Sequence, residues 1–159
     1  MVSTDEQQRP ISDDEQTNYT IEQVATRTGL TKRTLRYYEE VGLLPPTDRT
    51  EGNYRRYSEE DVARLERIKK LRDLLGFSLA DIRQLLEADD ERDHIKVAYK
   101  QETEPAAKIA QLDRIDELIH GQLELIEQKQ AGLEEMRATL LAKLERHQHI
   151  REELSNSNK

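Results

Sequence analysis

The chain has 159 residues, of which 35% are hydrophobic, 4% aromatic and 36% charged, and its formal net charge is −8. It has no cysteine, which excludes disulfides, cysteine-ligated zinc and thiol sensing. No apolar run approaches the roughly 20 residues that span a bilayer and no signal peptide is recognisable, so we expect a cytoplasmic protein with a small globular part and a long exposed helix.

The net negative charge is unevenly distributed along the chain. Residues 1–18 are polar and acidic without periodicity, which predicts a disordered tail. Between Arg27 and Arg56 the bases outnumber the acids. DNA binding depends on the local electrostatic potential of the protein surface that contacts the DNA. The net negative charge of the chain therefore does not exclude DNA binding by this segment.

Two short helices separated by a tight turn are predicted after the tail. Thr20-Ile-Glu-Gln23 is a capping-box pattern that opens the first helix, which Gly29 ends. Thr31 is placed to cap the second helix, and Gly42 to end it in a left-handed conformation. Helix, glycine-containing turn and helix form a helix-turn-helix unit.

The second helix is the predicted reading element. Lys32, Arg33 and Arg36 lie toward its N-terminal, outward-facing end, which such a helix inserts into the major groove. There an arginine can bind guanine with both arms or contact phosphate. The alternative interpretation is an amphipathic helix with a solvated basic face.

A short β-ribbon, or wing, is predicted beside this unit. Pro45-Pro46 prevents the second helix from continuing, and Leu43-Leu44 is expected to pair with residues 54–57 across a turn. Basic and aromatic residues on such a ribbon are suited to phosphate contacts. The alternative is an ordinary exposed hairpin whose arginines serve solubility.

Two further helices are expected to complete the core of a first domain, residues 19–88. Ser58 with Asp61 and Ser78 with Asp81 carry the spacing of helix starts, and Gly76 ends the first of the two. The bases of that helix are interpreted as a solvated face: Arg64, Arg67, Lys69, Lys70 and Arg72. Residues 89–105 are predicted to be a connector that contains at most a short helix, with Pro105 at the first position of the next helix.

The stretch 106–154 predicts a coiled-coil helix, followed by a frayed end at residues 155–159. One seam repeats every seven residues and a second accompanies it. A helix of this length cannot bury its apolar stripe on so small a domain, so a second copy is the expected partner. The expected dimerisation residues are Leu112, Ile119, Leu123, Ile126, Leu133, Leu140 and Leu144.

The order of these parts resembles the MerR family of bacterial transcriptional regulators. The resemblance rests on RTLRYYEEVGLL, the following Pro-Pro turn, NYRRYSEEDV and LERIKKLRDLLGFSLADIRQLL, and it covers about Tyr19 to Leu86. It implies a mainly α fold with a winged helix-turn-helix domain and an antiparallel coiled-coil dimerisation helix. Asn53 stands where many members carry glycine, and asparagine tolerates positive φ better than most residues.

The resemblance also implies a function. Family members bind palindromic promoter sites as homodimers, and activating members bend and untwist the DNA so that RNA polymerase can use both promoter elements. It assigns Leu35, Tyr37 and Tyr57 to the core. The DNA contacts that it implies, together with the second-helix lysine, are Lys32, Arg33, Arg36, Tyr38, Arg49, Tyr54 and Arg55.

The sequence gives no indication of a sensed signal. His147 and His149 are two apart on a helix and so do not face one site, and we expect no metal or cofactor. A ligand near His94 and Tyr99 is an alternative to simple local packing, and the packing interpretation is preferred. An enzyme is not expected, because no nucleophile–base pair, phosphate loop or carboxylate cluster is recognisable. The competing class is an interaction protein that acts through its coiled coil.

Overall fold

The computed structural model describes residues 18–46 and 54–158, together with the backbone of 48–49. The tail predicted for residues 1–18 therefore lies, except for Asn18, outside the described residues, as does Asn53. Two compact units meet at the boundary between Arg83 and Gln84. The elements are α1 (Ile21–Thr28), α2 (Lys32–Glu40), β1 (Asp48–Arg49), β2 (Arg55–Arg56), α3 (Glu59–Lys69), a π-helical turn (Lys70–Leu74), α4 (Leu79–Gln101) and α5 (Pro105–Ser157). The mainly helical fold expected from the sequence is confirmed.

Local capping rules explain where the short helices begin and end. The Thr20 hydroxyl accepts from the Gln23 amide at 3.2 Å, and the Gln23 side chain accepts from the Thr20 amide at 2.8 Å. Ser58 begins α3 with the same reciprocal arrangement. Gly29 and Gly42 have φ of 71° and 74°, in the left-handed region that a side chain disfavours. These predicted boundaries are confirmed.

The first unit is built around a core that α1, α2, α3 and the start of α4 share. An isolated antiparallel bridge between Tyr19 and Tyr57 adds the residue before α1 to it, with backbone hydrogen bonds of 2.8 and 2.9 Å. The sequence showed no sign of this bridge. The buried apolar side chains of the unit are Val24, Leu30, Leu35, Tyr38, Leu43, Leu44, Tyr57, Val62, Leu65, Ile68, Leu71, Phe77 and Ile82.

The wing exists, but its first strand differs from the prediction. β2 pairs antiparallel with β1, with Asp48 opposite Arg56 and Arg49 opposite Arg55. The expected first strand, Leu43-Leu44, is instead buried, with each side chain 1% exposed. These leucines follow α2 directly and their amides bond to the Tyr38 carbonyl. Both adjacent leucines are therefore buried, whereas in a ribbon successive side chains point to opposite faces.

The second unit contains the end of α4 and all of α5. Residues 89–101, predicted as a connector, continue α4 without a break. Gln122 donates to the Asp89 carboxylate at 2.9 Å, and Arg114 donates to Glu91 at 2.8 Å. Because higher numbers on α5 meet lower numbers on α4, the two segments are antiparallel. Charged residues of the stretch 89–101 therefore pair with α5, and the sequence pattern alone does not show this contact.

The last helix is longer than predicted. Pro105 occupies the expected first turn, and helix continues through Ser157, so that residues 155–157 are helical rather than frayed. At about 1.5 Å per residue its 53 residues extend about 80 Å. From 131 to 158 every described side chain is exposed in the single chain. Among the helices of the described ranges, none combines the length and the apolar character that a bilayer crossing requires.

Candidate nucleic-acid interface

The turn between α1 and α2 fixes where the reading helix starts. Thr31 accepts from the Thr34 amide at 3.1 Å, which satisfies an amide that the helix itself leaves unpaired. On the other side of the turn, the Lys69 ammonium donates to the Thr28 carbonyl at 2.7 Å. A cation at the C-terminal end of α1 also suits the helix dipole. The turn is therefore held by side chains from both α2 and α3.

α2 has one buried face and one exposed basic face. Leu35 is fully buried and Tyr38 is 1% exposed. The opposite face carries two arginines, a tyrosine and an acid. Together they line an open hollow of about 680 Å³: Arg33, Arg36, Tyr37 and Glu40, with Thr34 beside them. The structure thus exposes both predicted reading arginines on the same side of the helix.

The two tyrosines of α2 have exchanged their predicted places. Tyr38, implied as a DNA contact, lies in the core, whereas Tyr37, implied as a core residue, is 45% exposed. Arg72 donates to the Tyr38 hydroxyl, and its guanidinium carbon lies 5.9 Å from the ring centroid. Burial raises the pKa of Tyr38 above its ordinary value. Tyr38 therefore anchors the reading helix, and Tyr37 is the tyrosine available at its surface.

Basic side chains also hold the end of α2. Arg64 Nε donates to the Leu43 carbonyl at 2.6 Å, and Arg83 donates to the Val41 carbonyl. The solvated face expected on the α3 segment is thus wrong for Arg64, Lys69 and Arg72, which make intramolecular hydrogen bonds. A helical-wheel signal was present, because Arg64 and Lys69 fall within the apolar stripe of α3 rather than opposite it.

The first turn of α2 carries one exposed ion pair. Lys32 Nζ lies 2.8 Å from Glu22 Oε1, with 46% and 73% of the two side chains exposed. Lys32 lowers the pKa of Glu22, first through the hydrogen bond and then through its charge. Such an exposed pair contributes little to stability, so the lysine can exchange this carboxylate for a phosphate at small cost.

The wing residues are placed differently from one another. Tyr54 is 74% exposed. Arg55 lies with its Nε 2.6 Å from Glu39 Oε2, and only 29% and 13% of these side chains are exposed. The predicted phosphate contact of Arg55 therefore faces the protein's own carboxylate. The side chain of Arg49 lies outside the described residues, although its backbone forms β1.

A second surface runs along α5. The predicted seam is exposed in the single chain, from 39% at Ile126 to 62% at Leu144. Ile119 is the half-buried member. The remaining predicted members have intermediate values: Leu112 45%, Leu123 43%, Leu133 59% and Leu140 49%. The single chain thus leaves large apolar side chains exposed at heptad spacing along α5.

Two of the residues considered as ligand or metal contacts, Tyr99 and His149, each have a local partner. The Lys108 ammonium lies 4.6 Å from the ring centroid of Tyr99, as the packing interpretation expects. His149 pairs with Glu153 one turn later, at 3.3 Å. Across the part of the chain that the structure describes, no three histidine or acidic side chains converge on a point that could hold a metal ion.

Known proteins share both the sequence and the fold. Residues 19–89 match the sequence model described as "MerR HTH family regulatory protein". The HTH-type transcriptional regulator YfmP of Bacillus subtilis (strain 168) is 41% identical over 109 residues, which cover 69% of this chain and 78% of that protein. The mercuric resistance operon regulatory protein of Bacillus cereus is 45% identical over 78 residues, 49% of this chain and 58% of that protein.

The fold is shared with a solved structure of a protein described as a MerR family transcriptional regulator from Listeria monocytogenes. The TM-score is 0.55 at 24% sequence identity, and the match covers 88% of this chain and 96% of that chain. At this identity the likeness concerns the fold alone, whereas the identity with YfmP concerns the family. The chain belongs to the MerR family of transcriptional regulators.

Proposed function

We propose that this protein regulates transcription as a homodimer that binds a palindromic promoter site through α2 and the wing. The observation that carries the proposal is the exposed face of α2, where Arg33 and Arg36 lie together opposite the buried Leu35 and Tyr38. Two guanidinium groups one helical turn apart can each bind a guanine with both arms, or an adjoining phosphate. Lys32 at the start of the helix and Tyr54 on the wing supply contacts to the backbone.

The dimer follows from the exposed seam of α5. An antiparallel pair of these helices buries Leu133, Leu140 and their heptad neighbours and relates the two copies by a two-fold axis. Two-fold symmetry of the protein requires two-fold symmetry of the site, which is a palindrome. One α2 from each copy then meets one half of the palindrome.

We infer that binding distorts the DNA and that RNA polymerase acts at the same promoter. A dimer presents its two reading helices at a separation of its own, whereas successive major grooves on one side of B-DNA are about 34 Å apart. Where the two distances differ, the DNA bends or untwists to meet both helices, at a cost on the order of 1–6 kcal/mol. Family membership supports this mode of regulation.

The test is selection of a binding site from a pool of random DNA duplexes by the full chain. The enriched sequence should contain two inverted half-sites. Arg36→Ala should weaken binding to it by about 1–3 kcal/mol and relax the preference at one position in each half-site. Arg146→Ala is the matched control, because it removes one exposed charge from the side of α5 opposite the apolar seam. It should change neither the affinity nor the base preference. No enriched sequence, or unchanged binding by Arg36→Ala, would overturn the proposal.

A further inference from the structure

The contact between Arg55 and Glu39 joins the wing to the reading helix. Arg55 begins β2, and Glu39 is the second-to-last residue of α2. The 2.6 Å separation of Nε and Oε2 brings together two elements that 14 residues of chain separate.

This pair is more shielded than the other ion pairs of the first unit. Its side chains are 29% and 13% exposed, compared with 42% and 58% for Arg27 and Glu59. The atoms in contact, Arg55 Nε and Glu39 Oε2, have almost no accessible surface, and because they do not meet in hydrogen-bond geometry, the contact is an attraction between opposite charges. Removal of one partner from a shielded pair leaves an uncompensated charge, whereas exposed pairs are worth little.

The surroundings also oppose release of Arg55. The Tyr57 hydroxyl is buried in the same region, and its pKa is raised to about 12, first by burial and then by the negative charge of Glu39. Movement of Arg55 to a phosphate would take a guanidinium away from a largely buried carboxylate whose charge acts on this buried hydroxyl. A DNA phosphate would then have to offset the loss of a contact that already exists.

We propose that Arg55 is a positioning residue that clamps the wing to the end of the reading helix through Glu39, and that it is not a phosphate contact. The clamp sets the angle at which Tyr54, the preceding residue, meets the DNA backbone. Its effect on affinity rests on the proposed DNA-binding function, whereas the clamp itself is a property of the free protein.

The first test uses the free protein without DNA. Nuclear magnetic resonance of the full wild-type chain should show a slowly exchanging Nε–H for Arg55, because this group is shielded against Glu39. Glu39→Gln should speed that exchange and also the exchange of the Arg56 amide. Asp93→Asn, which breaks an exposed ion pair with Lys96 at 3.5 Å, is the matched control and should change neither signal. An Arg55 Nε–H that exchanges like an exposed guanidinium overturns the proposal without any variant.

The second test compares the affinities of variants for the selected duplex over a range of salt. Arg55→Gln and Glu39→Gln should each weaken binding about tenfold, and the double variant no more than the weaker single, because both remove the same contact. The salt slope should be unchanged in all three. A phosphate contact predicts the opposite: Arg55→Gln would flatten the slope by about 0.9 and Glu39→Gln would tighten binding.

The two proposals can fail separately. Arg55→Lys keeps the charge but not the planar fork, so it should behave like Arg55→Gln if Arg55 positions the wing, and like wild type if it needs only charge near a phosphate. If wild type binds no duplex, the proposed function falls, and the exchange measurement on the free protein still decides the clamp.

Discussion

Leu133→Gln tests whether the seam of α5 holds two copies together. Leu133 is 59% exposed in the single chain, so about half of its side chain remains to be buried. Complete burial of a leucine is worth about 1.5–3 kcal/mol, which gives about 1–2 kcal/mol for this residue. In a two-fold dimer each substitution occurs twice, and the loss becomes about 2–4 kcal/mol. At about 1.4 kcal/mol per factor of ten, the dimer should dissociate about 30- to 700-fold more readily.

The assay is sedimentation of the full chain over a range of concentrations, with circular dichroism to follow the helix. Ala142→Gln is the control, since it places the same side chain on the opposite face of α5, where position 142 is already exposed. The control should sediment as wild type does. A Leu133→Gln protein that dissociates no more readily than Ala142→Gln would refute the assignment of this seam, and a wild type that stays monomeric would refute dimerisation itself.

Three other substitutions test single features of the first unit. The pKa of Tyr57 is raised to about 12 from 10.0, so its neutral form contributes stability that is complete below pH 10 and is lost as the pH rises through about 12. In Tyr57→Phe the melting temperature should therefore change less with pH over that window than in wild type. An unchanged pH profile would contradict the assignment. Glu40→Gln removes an acid from the reading face and should tighten DNA binding a few-fold at low salt; unchanged binding would mean that this face does not meet the DNA. Gly42→Ala should lower the free energy of unfolding by about 1–2 kcal/mol because φ is 74°. The control Gly121→Ala, within α5, should raise it by about 0.5–1 kcal/mol. Denaturant titration measures both changes, and equal effects would contradict the backbone argument.

Features set by neighbouring residues could be predicted from the sequence. Thr20, Thr31 and Ser58 cap the helices that follow them, because an N-cap needs only a side-chain oxygen and an amide two or three residues on. Gly29 and Gly42 end their helices for an equally local reason. The seam of α5 was also visible, since a heptad repeat is a property of one helix.

Features set by contacts between distant residues could not be predicted. The adjacent Tyr37 and Tyr38 have similar propensities, and the one that is anchored in the core meets Arg72, 34 residues away. Glu39 likewise meets Arg55 only after the ribbon has formed. The sequence identified a basic segment, but it could not separate arginines that face outward from one that holds the fold together.

The helix boundaries also differ in whether neighbouring residues or distant contacts set them. Residues 89–101 carry many charges and looked like a connector, yet α4 continues through them where Glu91 pairs with Arg114 of α5. The π-helical turn Lys70–Leu74 has no counterpart in the sequence pattern.

The most direct test of the account is the mass of the protein–DNA complex on a duplex that carries both selected half-sites. Native mass spectrometry should find two chains of 18.6 kDa each per duplex, and scrambling one half-site should abolish most of the binding rather than leave one chain attached. A complex with a single chain per duplex, bound equally well to one half-site, would contradict the claim that paired α5 helices carry two reading heads to one site.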